Sequence, residues 1–293
     1  MSISRRLKSS LKESAIRVEE AMNRLPVFRE ENEQTQYCSY SLNAGGKRLR
    51  PFLVLQSCAA LGESIENAIP AACSVEMIHT YSLIHDDLPG MDDDDTRRGK
   101  PALHRICGTE KAVFAGDRLL LEAFITLLQT RLPECSVKAM LHRLISAAGA
   151  SFLVGGQFMD MYHPGTVDRA WTRKMICGKT SAMIRVSMEL GSMAAGLSGR
   201  ELDLISSIGD DTGWLFQLTD DILDVTGTTR EMGKAVLKDA GMGKWNPVSE
   251  LGVAGARKLA SGNAASIADR LDSLPGDWSI IRELVEYLPE RRK

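Results

Sequence analysis

Aromatic residues, excess charge and long apolar runs are all scarce in this sequence, and each shortage excludes a class of protein. Phenylalanine, tryptophan and tyrosine make up 5% of the 293 residues, and β-branched residues do not alternate with polar ones, which argues against an all-β fold. The net charge of −2 gives no electrostatic basis for binding bulk nucleic acid. No run of about 18 uninterrupted apolar residues predicts a membrane span, and the N-terminus lacks the apolar core of a signal peptide.

Paired cysteines are also missing. The chain has six cysteines, and no two of them form a Cys-x-x-Cys pair. They are Cys38, Cys58, Cys73, Cys107, Cys135 and Cys177. Scattered cysteines of this kind are typical of reduced, buried side chains and not of a disulfide framework or a zinc site. We therefore expect a soluble cytoplasmic protein.

What the sequence does contain is helical periodicity along nearly its whole length. Apolar residues recur every three or four positions. No Gly/Ser/Pro-rich linker divides residues 1–293, and 44% hydrophobic residues can build a sizeable core. The sequence predicts one all-α domain, a single helical bundle of about a dozen helices. Predicted helices include an amphipathic N-terminal helix and residues 66–88, 111–131, 136–160, 168–196, 248–273 and 277–288.

The most unusual stretch is acidic and spans residues 79–98, HTYSLIHDDLPGMDDDDTRR. Its six aspartates are Asp86, Asp87, Asp92, Asp93, Asp94 and Asp95. An exposed acidic surface is the simpler interpretation of such a cluster. Here, however, Asp86 and Asp87 end an apolar helix that we expect to be buried, and buried carboxylates need a compensating cation. Mg²⁺ is the expected partner in the absence of a His or Cys ligand set.

The residues that follow Asp87 suggest how further carboxylates join it. Pro89 and Gly90 end the predicted helix, so the chain can fold Asp92 back toward Asp86 and Asp87. We expect Asp93, Asp94 and Asp95 to be solvated or to stabilise the loop.

A second acidic pattern lies on residues 213–225. Gln217, Asp220, Asp221 and Asp224 are spaced i, i+3, i+4 and i+7, so they form one polar stripe on an otherwise apolar helix. Like charges at i and i+4 repel each other, and their burial without a cation is more costly still. The stripe therefore predicts a site for metal ions or cationic groups.

Residues 43–51, NAGGKRLRP, form the main basic motif. Gly45 and Gly46 allow the backbone to approach a ligand closely. The cations Lys47, Arg48 and Arg50 follow at the start of a predicted helix, a pattern that favours a phosphate site. A basic loop without a ligand is the alternative.

These features together predict a reaction class. Two aspartate clusters, several lysines and arginines, and apolar helical surroundings suit a diphosphate that carries a hydrocarbon body. The phosphate-binding pattern GxxxxGK[ST] is absent, as is a kinase signature. We infer Mg²⁺-assisted chemistry in which diphosphate leaves and an allylic cation forms.

Five segments carry a resemblance to a known family: GGKRLRP (45–51), EMIHTYSLIHDDLPGMDDDDTRRGKP (76–101), GGQ (155–157), GKT (178–180) and FQLTDDILDV (216–225). Over residues 40–290 the chain resembles the short-chain trans-prenyl diphosphate synthases, most of all the bacterial farnesyl diphosphate synthases. The resemblance implies an all-α fold around a central cavity, usually in a homodimer. It also implies that isopentenyl diphosphate adds to an allylic diphosphate, such as dimethylallyl or geranyl diphosphate.

The resemblance further implies a role for each matching residue. The Mg²⁺ ligands, for three ions with substrate bound, would be Asp86, Asp87, Asp92, Asp220, Asp221 and Asp224. The allylic diphosphate and its cation would be held by the catalytic residues Lys179, Thr180 and Gln217, and by Arg97, Lys234 and Lys244. Isopentenyl diphosphate would bind Lys47, Arg50, His79 and Arg98. The departed diphosphate would take the final proton, so no side-chain base is required.

Product length would depend on Tyr81 and Ser82, about one helical turn before Asp86. A tyrosine at this position resembles the floor of farnesyl-making members and predicts a C15 product. Geranylgeranyl diphosphate synthase is the main alternative. The sequence departs from the family pattern at GKWNP (243–247), which is one residue short, and at Phe158 and Arg118, where small residues are usual.

Three other classes fit less well. An HD-type phosphohydrolase would use His85 and Asp86, but His79, His104, His142 and His163 lack the spacing for further ligands. A class I terpene cyclase would leave GGKRLRP and the Arg97-Arg98 pair unexplained. A non-catalytic partner subunit of a prenyl synthase would be expected to lack an aspartate motif, and this chain has two.

Overall fold

The structure, a computed structural model, describes residues 3–163, 165–226 and 245–291. The predicted all-α bundle is confirmed, because nearly all of the described elements are helical. The α-helices are α1 (Arg5–Arg24), α2 (Glu33–Leu42), α3 (Leu49–Ala60), α4 (Ile69–Asp86), α5 (Leu103–Cys107), α6 (Thr109–Leu128), α7 (Glu134–Ala148), α8 (Leu153–Met161), α9 (Arg169–Ile176), α10 (Ala182–Ala194), α11 (Gly199–Thr226), α12 (Pro247–Leu271) and α13 (Ser279–Tyr287).

The bundle has two apolar cores that share helices. One core surrounds α4, which is buried on nearly every side, and the other lies between α11, α12 and α13. Helix α3 contributes Val54 and Leu55 to the first core and Phe52 and Leu53 to the second. Helix α10 is divided between the two cores in the same way. Successive residues of a helix face different directions, so α3 and α10 join the two cores into one bundle.

Two very short strands interrupt the helical pattern. The strands β1 (Thr96–Arg97) and β2 (Lys100–Pro101) pair antiparallel, with Arg97 opposite Lys100. The two turn residues both have positive φ, 54° at Arg98 and 76° at Gly99. This geometry is typical of a tight hairpin turn that matches the twist of its strands. These strands were not predicted from the sequence, because two residues are too few to show an alternation of apolar and polar side chains.

The limits of helix α4 differ from those predicted from the sequence. It was predicted to span residues 66–88, but it begins at Ile69 and ends at Asp86. Pro70 fills the first turn, where its missing N–H costs no hydrogen bond. At the other end Asp87 is the C-cap, and the residues after it turn back.

The prediction of one helix over residues 136–160 was wrong. The structure has two helices, α7 and α8, because Gly149 adopts an extended conformation. Gly155 then approaches the Ala150 carbonyl so closely that a Cβ at Gly155 would lie 1.9 Å from the oxygen.

By length and composition alone, the segment Glu134–Met161 could cross a membrane. The core helix of a soluble protein also passes this test.

Residues 169–194 follow a nearly continuous helical path with one irregular turn. Between α9 and α10, Cys177–Ser181 form a π-helical turn that contains the GKT motif. Gly156 allows this π-turn to pack closely on α8, because a Cβ at Gly156 would lie 2.2 Å from the Lys179 backbone nitrogen. Single π-helical turns are frequent at functional sites. The GGQ and GKT motifs are therefore in direct contact.

Close glycine packing predicts a stability difference between two alanine variants. Gly191→Ala would place a Cβ 2.1 Å from the Val54 carbonyl where α10 crosses α3, and should cost about 2 kcal/mol or more. A Cβ at Gly262 on α12 would meet no atom within 4 Å in the ranges that the structure describes, so Gly262→Ala should stabilise the protein by about 0.5–1 kcal/mol, because alanine favours helix. Urea unfolding of both variants measures the difference, and equal effects would contradict it.

Candidate active site

The first aspartate motif folds back on the end of α4. The Asp92 N–H donates to the Asp86 carbonyl at 2.8 Å, and the Met91 N–H donates to the Leu88 carbonyl at 2.9 Å. Gly90 supplies the positive φ of 90° that this tight loop needs. The loop therefore brings Asp92 back beside Asp86, as the spacing predicted.

Asp87 and the later aspartates are held by arginines. The buried Asp87 carboxylate accepts two hydrogen bonds from Arg97, one of them from Nε at 2.8 Å. Arg97 also donates to Asp94 at 3.2 Å. Arg105 donates to Asp95 at 2.6 Å. Asp94 and Asp95 thus stabilise the loop.

Asp86 is the carboxyl of this motif whose ionisation is most perturbed. Burial raises its pKa to about 6, and the charges of Asp92 and Asp87 add to the rise, whereas Lys179 and Arg97 oppose it. A half-buried carboxyl beside two others suits a hard divalent cation, so the donor chemistry fits Mg²⁺. Within the described ranges, no three His, Cys, Asp or Glu side chains lie close enough together to hold a metal ion.

The π-turn connects the first aspartate motif to the second. Lys179 Nζ donates to Asp160 of α8 at 2.6 Å, and its charge also acts on Asp86. The Thr180 hydroxyl donates to Gln217 Oε1 at 3.2 Å. The Gln217 amide in turn donates to Asp221 at 2.9 Å. The predicted catalytic residues Lys179 and Thr180 of the π-turn therefore connect to Gln217 of α11 and, through the charge of Lys179, to Asp86 of α4.

Asp220 and Asp224 occupy different environments on α11. Asp220 forms an ion pair with Arg291, near the end of the chain, and Asp224 is exposed in the last turn of the helix. Arg291 is 6% exposed, and its guanidinium lies 4.6 Å from the centre of the Phe216 ring. Burial lowers the pKa of Arg291 to about 10. Arg291 is not among the predicted site residues, but its ion pair with Asp220 places it beside the second aspartate motif.

The predicted isopentenyl diphosphate residues come together at the start of α3. The Arg98 guanidinium donates to the Gly45 carbonyl. Among the residues that the structure describes, the buried Arg50 Nε has no hydrogen-bond partner, and burial lowers the Arg50 pKa to about 10. The pKa of His79 is held well below its ordinary value, by burial first and then by Arg50 and Arg98. The pKa of Lys47 is lowered by burial first and then by the charge of Arg291.

Arg48 does not belong to this group of cations, although the basic motif at residues 43–51 predicted that it would. It is 2% exposed and has a left-handed backbone with φ 47°. Its guanidinium donates to Glu19 at 3.1 Å, to Glu76 at 2.5 Å and to the Leu42 carbonyl. Arg48 therefore ties the basic loop to α1, α2 and α4.

The predicted chain-length residues lie on α4 below Asp86. Tyr81 is 6% exposed, and its ring meets His85 edge to face at 5.6 Å. His85 fits against α6 because Gly116 has no side chain, since a Cβ there would lie 2.2 Å from His85 Nε2. Ser82 donates to the His79 carbonyl of its own helix at 3.0 Å. Tyr81 therefore has a fixed position, whereas Ser82 is bonded locally.

Two predicted site residues cannot be placed, and the positions that depart from the family pattern have local contacts of their own. Lys234 and Lys244 lie outside the described residues, so their roles stay predictions. Trp245 of the shortened segment donates to Glu250 at 2.7 Å. Phe158 is 63% exposed and stacks on Tyr162, and Arg118 bonds to the segment that precedes α2.

Two residues of α8, Asp160 and Gln157, were not predicted to belong to the site. Asp160 pairs with Lys179 across the packed glycines. The Gln157 amide has both polar atoms buried, with no hydrogen-bond partner in the described part of the chain, which is costly unless a ligand or water satisfies them. The GGQ motif resembles a family motif, but the sequence does not indicate what it contacts. The structure shows that α8 packs on the π-turn at this motif.

The raised pKa of Asp86 predicts an effect on stability in the absence of metal. Its pKa rises from 3.8 to about 6 on folding, so the stability that its proton contributes is lost as pH rises through about 6. Asp86→Asn should therefore stabilise the protein at pH 7 by up to about 3 kcal/mol, and by little at pH 4.

Thermal unfolding in EDTA at the two pH values measures this effect. Asp203→Asn removes an exposed carboxylate from α11 and is the matched control, with an expected change within about 0.5 kcal/mol at both pH values. Equal behaviour of the two variants would contradict the environment assigned to Asp86.

Comparison with known proteins places this site in a family. A family model described as polyprenyl synthetase matches residues 31–258. Farnesyl diphosphate synthase of Micrococcus luteus is 36% identical over 256 residues, covering 87% of this chain and 88% of that protein. Farnesyl diphosphate synthase of Escherichia coli (strain K12) is 39% identical over 262 residues, covering 87% and 88%.

Similarity extends to geranylgeranyl synthases and to solved structures. The chloroplastic geranylgeranyl pyrophosphate synthase of Capsicum annuum is 39% identical over 253 residues, covering 85% of this chain and 69% of that protein. The apo structure of an FPP/GFPP synthase from Zymomonas mobilis matches with a TM-score of 0.85 at 28% identity, covering 97% of this chain and 99% of that one. The chain belongs to the polyprenyl synthetase family.

Proposed function

We propose that this protein is a Mg²⁺-dependent prenyltransferase that condenses isopentenyl diphosphate with dimethylallyl and geranyl diphosphates to make farnesyl diphosphate. The observation that carries the proposal is the placement of Lys179, Thr180 and Gln217 between two aspartate motifs, with a separate cluster of cations at the start of α3. Two anionic substrates need two such positive surfaces, and an isolated phosphate site would need only one.

The allylic diphosphate is assigned to the side of the aspartate motifs. Mg²⁺ would be held there, as three ions with substrate bound, by Asp86, Asp87, Asp92, Asp220, Asp221 and Asp224. When bound, Mg²⁺ neutralises the diphosphate and makes it a better leaving group. Arg97 and Lys179 add fixed positive charge beside these carboxylates, and Lys234 and Lys244 are assigned to the same substrate.

The allylic cation is assigned to the π-turn and α11. Thr180 Oγ1 and Gln217 Oε1 lie 3.2 Å apart, so two oxygens with partial negative charge meet at one place. Fixed dipoles of this kind stabilise a developing positive charge without reorganising. The final proton leaves with the diphosphate, which agrees with a site that requires no side-chain base.

Isopentenyl diphosphate is assigned to Lys47, Arg50, His79 and Arg98. Burial lowers the pKa of Arg50 and Arg98, so both guanidinium groups would be stabilised by a nearby anion. Arginine is well suited to diphosphate oxygens because its planar fork donates two parallel hydrogen bonds. The low pKa of His79 keeps it neutral at pH 7, so it can donate a hydrogen bond without adding repulsion.

The C15 product rests on Tyr81 and on the bacterial relatives. Tyr81 is buried beneath Asp86 and braced by His85, so it would limit the length of the growing chain. A C20 product is the second candidate, because relatives at 39% to 42% identity in plants are geranylgeranyl pyrophosphate synthases.

The working form is proposed to be a cytoplasmic homodimer. Helix α6 exposes Phe114, Leu121, Ile125 and Leu128 on one face, with exposed fractions from 47% to 63%. A continuous apolar face of this kind is typical of a protein interface. The six free cysteines fit a reducing compartment, and neither nucleic acid nor stable membrane insertion is part of the proposal.

Light scattering tests the dimer. We expect twice the 32.1 kDa chain mass for the wild type, and the monomer mass for Leu121→Lys. Ile16→Lys changes an exposed apolar residue on α1 and should leave the dimer intact. A monomeric wild type would contradict the interface.

The activity is tested by incubating the protein with Mg²⁺, labelled isopentenyl diphosphate and each of the C5, C10 and C15 allylic diphosphates. We expect C15 product from the C5 and C10 substrates. A C20 product would establish the second candidate. No incorporation with any acceptor would favour a non-catalytic partner subunit.

Removing the Tyr81 ring should lengthen the product. Tyr81→Ala opens the space five residues below Asp86, about 7.5 Å along the helix, so C20 should replace C15 as the main product. Tyr37→Ala truncates a tyrosine of α2 that packs on the same core and should keep C15. Unchanged C15 from Tyr81→Ala would contradict the role of this residue.

A further inference from the structure

A buried carboxylate lies beneath the cations assigned to isopentenyl diphosphate. Glu76 is in the middle of α4 and is 1% exposed. Its Oε1 lies 2.5 Å from Arg48 Nη1 and 3.7 Å from Arg98 Nη2. A carboxylate in such a place is stable only with charged partners. The same oxygen therefore links a buried arginine to one that faces the substrate.

Arg48 fixes this oxygen from below. Its guanidinium also contacts Glu19 of α1 and the Leu42 carbonyl at the end of α2. The contacts hold Arg48 in a left-handed conformation with φ 47°, which is unfavourable for a residue with a side chain. The position of Glu76 is thus set through Arg48 by contacts with two neighbouring helices, α1 and α2.

Arg98 is fixed from above by its own backbone and by a glycine. It lies in the hairpin turn with φ 54°, and its Nη1 donates to the Gly45 carbonyl. Its side chain passes over Gly46, where a Cβ would lie 2.7 Å from Arg98 Cζ. Glu76 supplies the charged contact, and the glycine loop supplies the shape.

The charges around Glu76 explain why a carboxylate is needed there. Arg98 and Arg48 repel each other, and Arg98 and Arg50 repel each other as well. Glu76 opposes this repulsion for both Arg50 and Arg98, by raising their pKa values against the effect of burial. Without substrate, Glu76 is the buried anion that lets these guanidinium groups stay close together.

We propose that Glu76 is a positioning residue for the isopentenyl diphosphate site, which it serves by holding the Arg98 guanidinium over the glycine loop without touching substrate. Arg48 acts as the support of Glu76 and not as a diphosphate ligand. The proposal rests on the assignment of Arg98 to isopentenyl diphosphate made above.

The first test replaces the carboxylate. Glu76→Gln keeps the shape but presents an amide to Arg98, so we expect KM for isopentenyl diphosphate to rise about tenfold or more, as for a weakened charged hydrogen bond. KM for geranyl diphosphate should stay within about twofold. Glu19→Gln is the matched control, because Glu19 also binds Arg48, whereas within the described residues Arg98 forms its ion pair with Glu76. It should leave both KM values within about twofold.

A double-mutant cycle with Arg98→Gln separates positioning from general stability. If Glu76 acts through Arg98, the double variant should have the same KM for isopentenyl diphosphate as Arg98→Gln alone, because coupled residues are not additive. Multiplied effects of the two changes would overturn the proposal. So would equal rises in both KM values for Glu76→Gln.

Two glycine variants test the position of Arg98 without changing any charge. Gly46→Ala puts a Cβ into the Arg98 side chain and should raise KM for isopentenyl diphosphate, whereas a Cβ at Gly45 would meet no atom of the described residues within 4 Å. Both glycines have positive φ, 123° and 90°, so backbone strain is present in both variants. Equal KM values for the pair would overturn the placement of Arg98.

Folding and binding measurements keep the outcomes distinct. If Glu76→Gln does not fold by circular dichroism, Glu76→Asp keeps the charge but shortens the reach, and should raise the same KM. An unchanged KM, or failure of both variants to fold, would make Glu76 a structural residue and overturn the proposal. Calorimetric titration of isopentenyl diphosphate into wild type with EDTA should show binding, and its absence would reject the parent assignment instead.

Discussion

Charge inside a helical bundle is stable only when it is paired, and the ion pairs of this protein hold its site together. Asp87 binds Arg97, Asp220 binds Arg291, and Glu76 binds Arg48. Burial of either partner alone would be far more costly than burial of the pair. Each pair also joins two parts of the chain, so the electrostatic requirement brings together α4, the hairpin turn, α11 and the residues after α13.

Glycine gives the second constraint, which is steric. At Gly156 the GGQ helix touches the GKT π-turn, and at Gly116 helix α6 leaves room for His85. At Gly46 the basic loop leaves room for Arg98. In each case a methyl group would displace a side chain or backbone that the site uses. The glycines therefore act through what they allow their neighbours to do, and a sequence motif records only that they are present.

The sequence predicted the parts of the fold that depend on local pattern. Spacing of three and four indicated α6 and α12 with nearly correct limits, and Pro89-Gly90 predicted that Asp92 returns to Asp86. It missed the break at Gly149, because the apolar pattern continues through that residue, whereas the extended backbone of Gly149 separates α7 from α8. Long-range partners such as Arg291 left no local signal.

By itself, then, the sequence determined the helical class, both aspartate motifs and the family, because each depends on residue type and spacing within a few turns. Only the tertiary structure decided which cations are fully buried and which remain partly exposed. Arg48 and Arg98 are both arginines with positive φ beside Glu76, but Arg48 is buried under three helices, whereas the side chain of Arg98 is 19% exposed. That difference arises from which helices cover each side chain, and residue spacing does not contain this information.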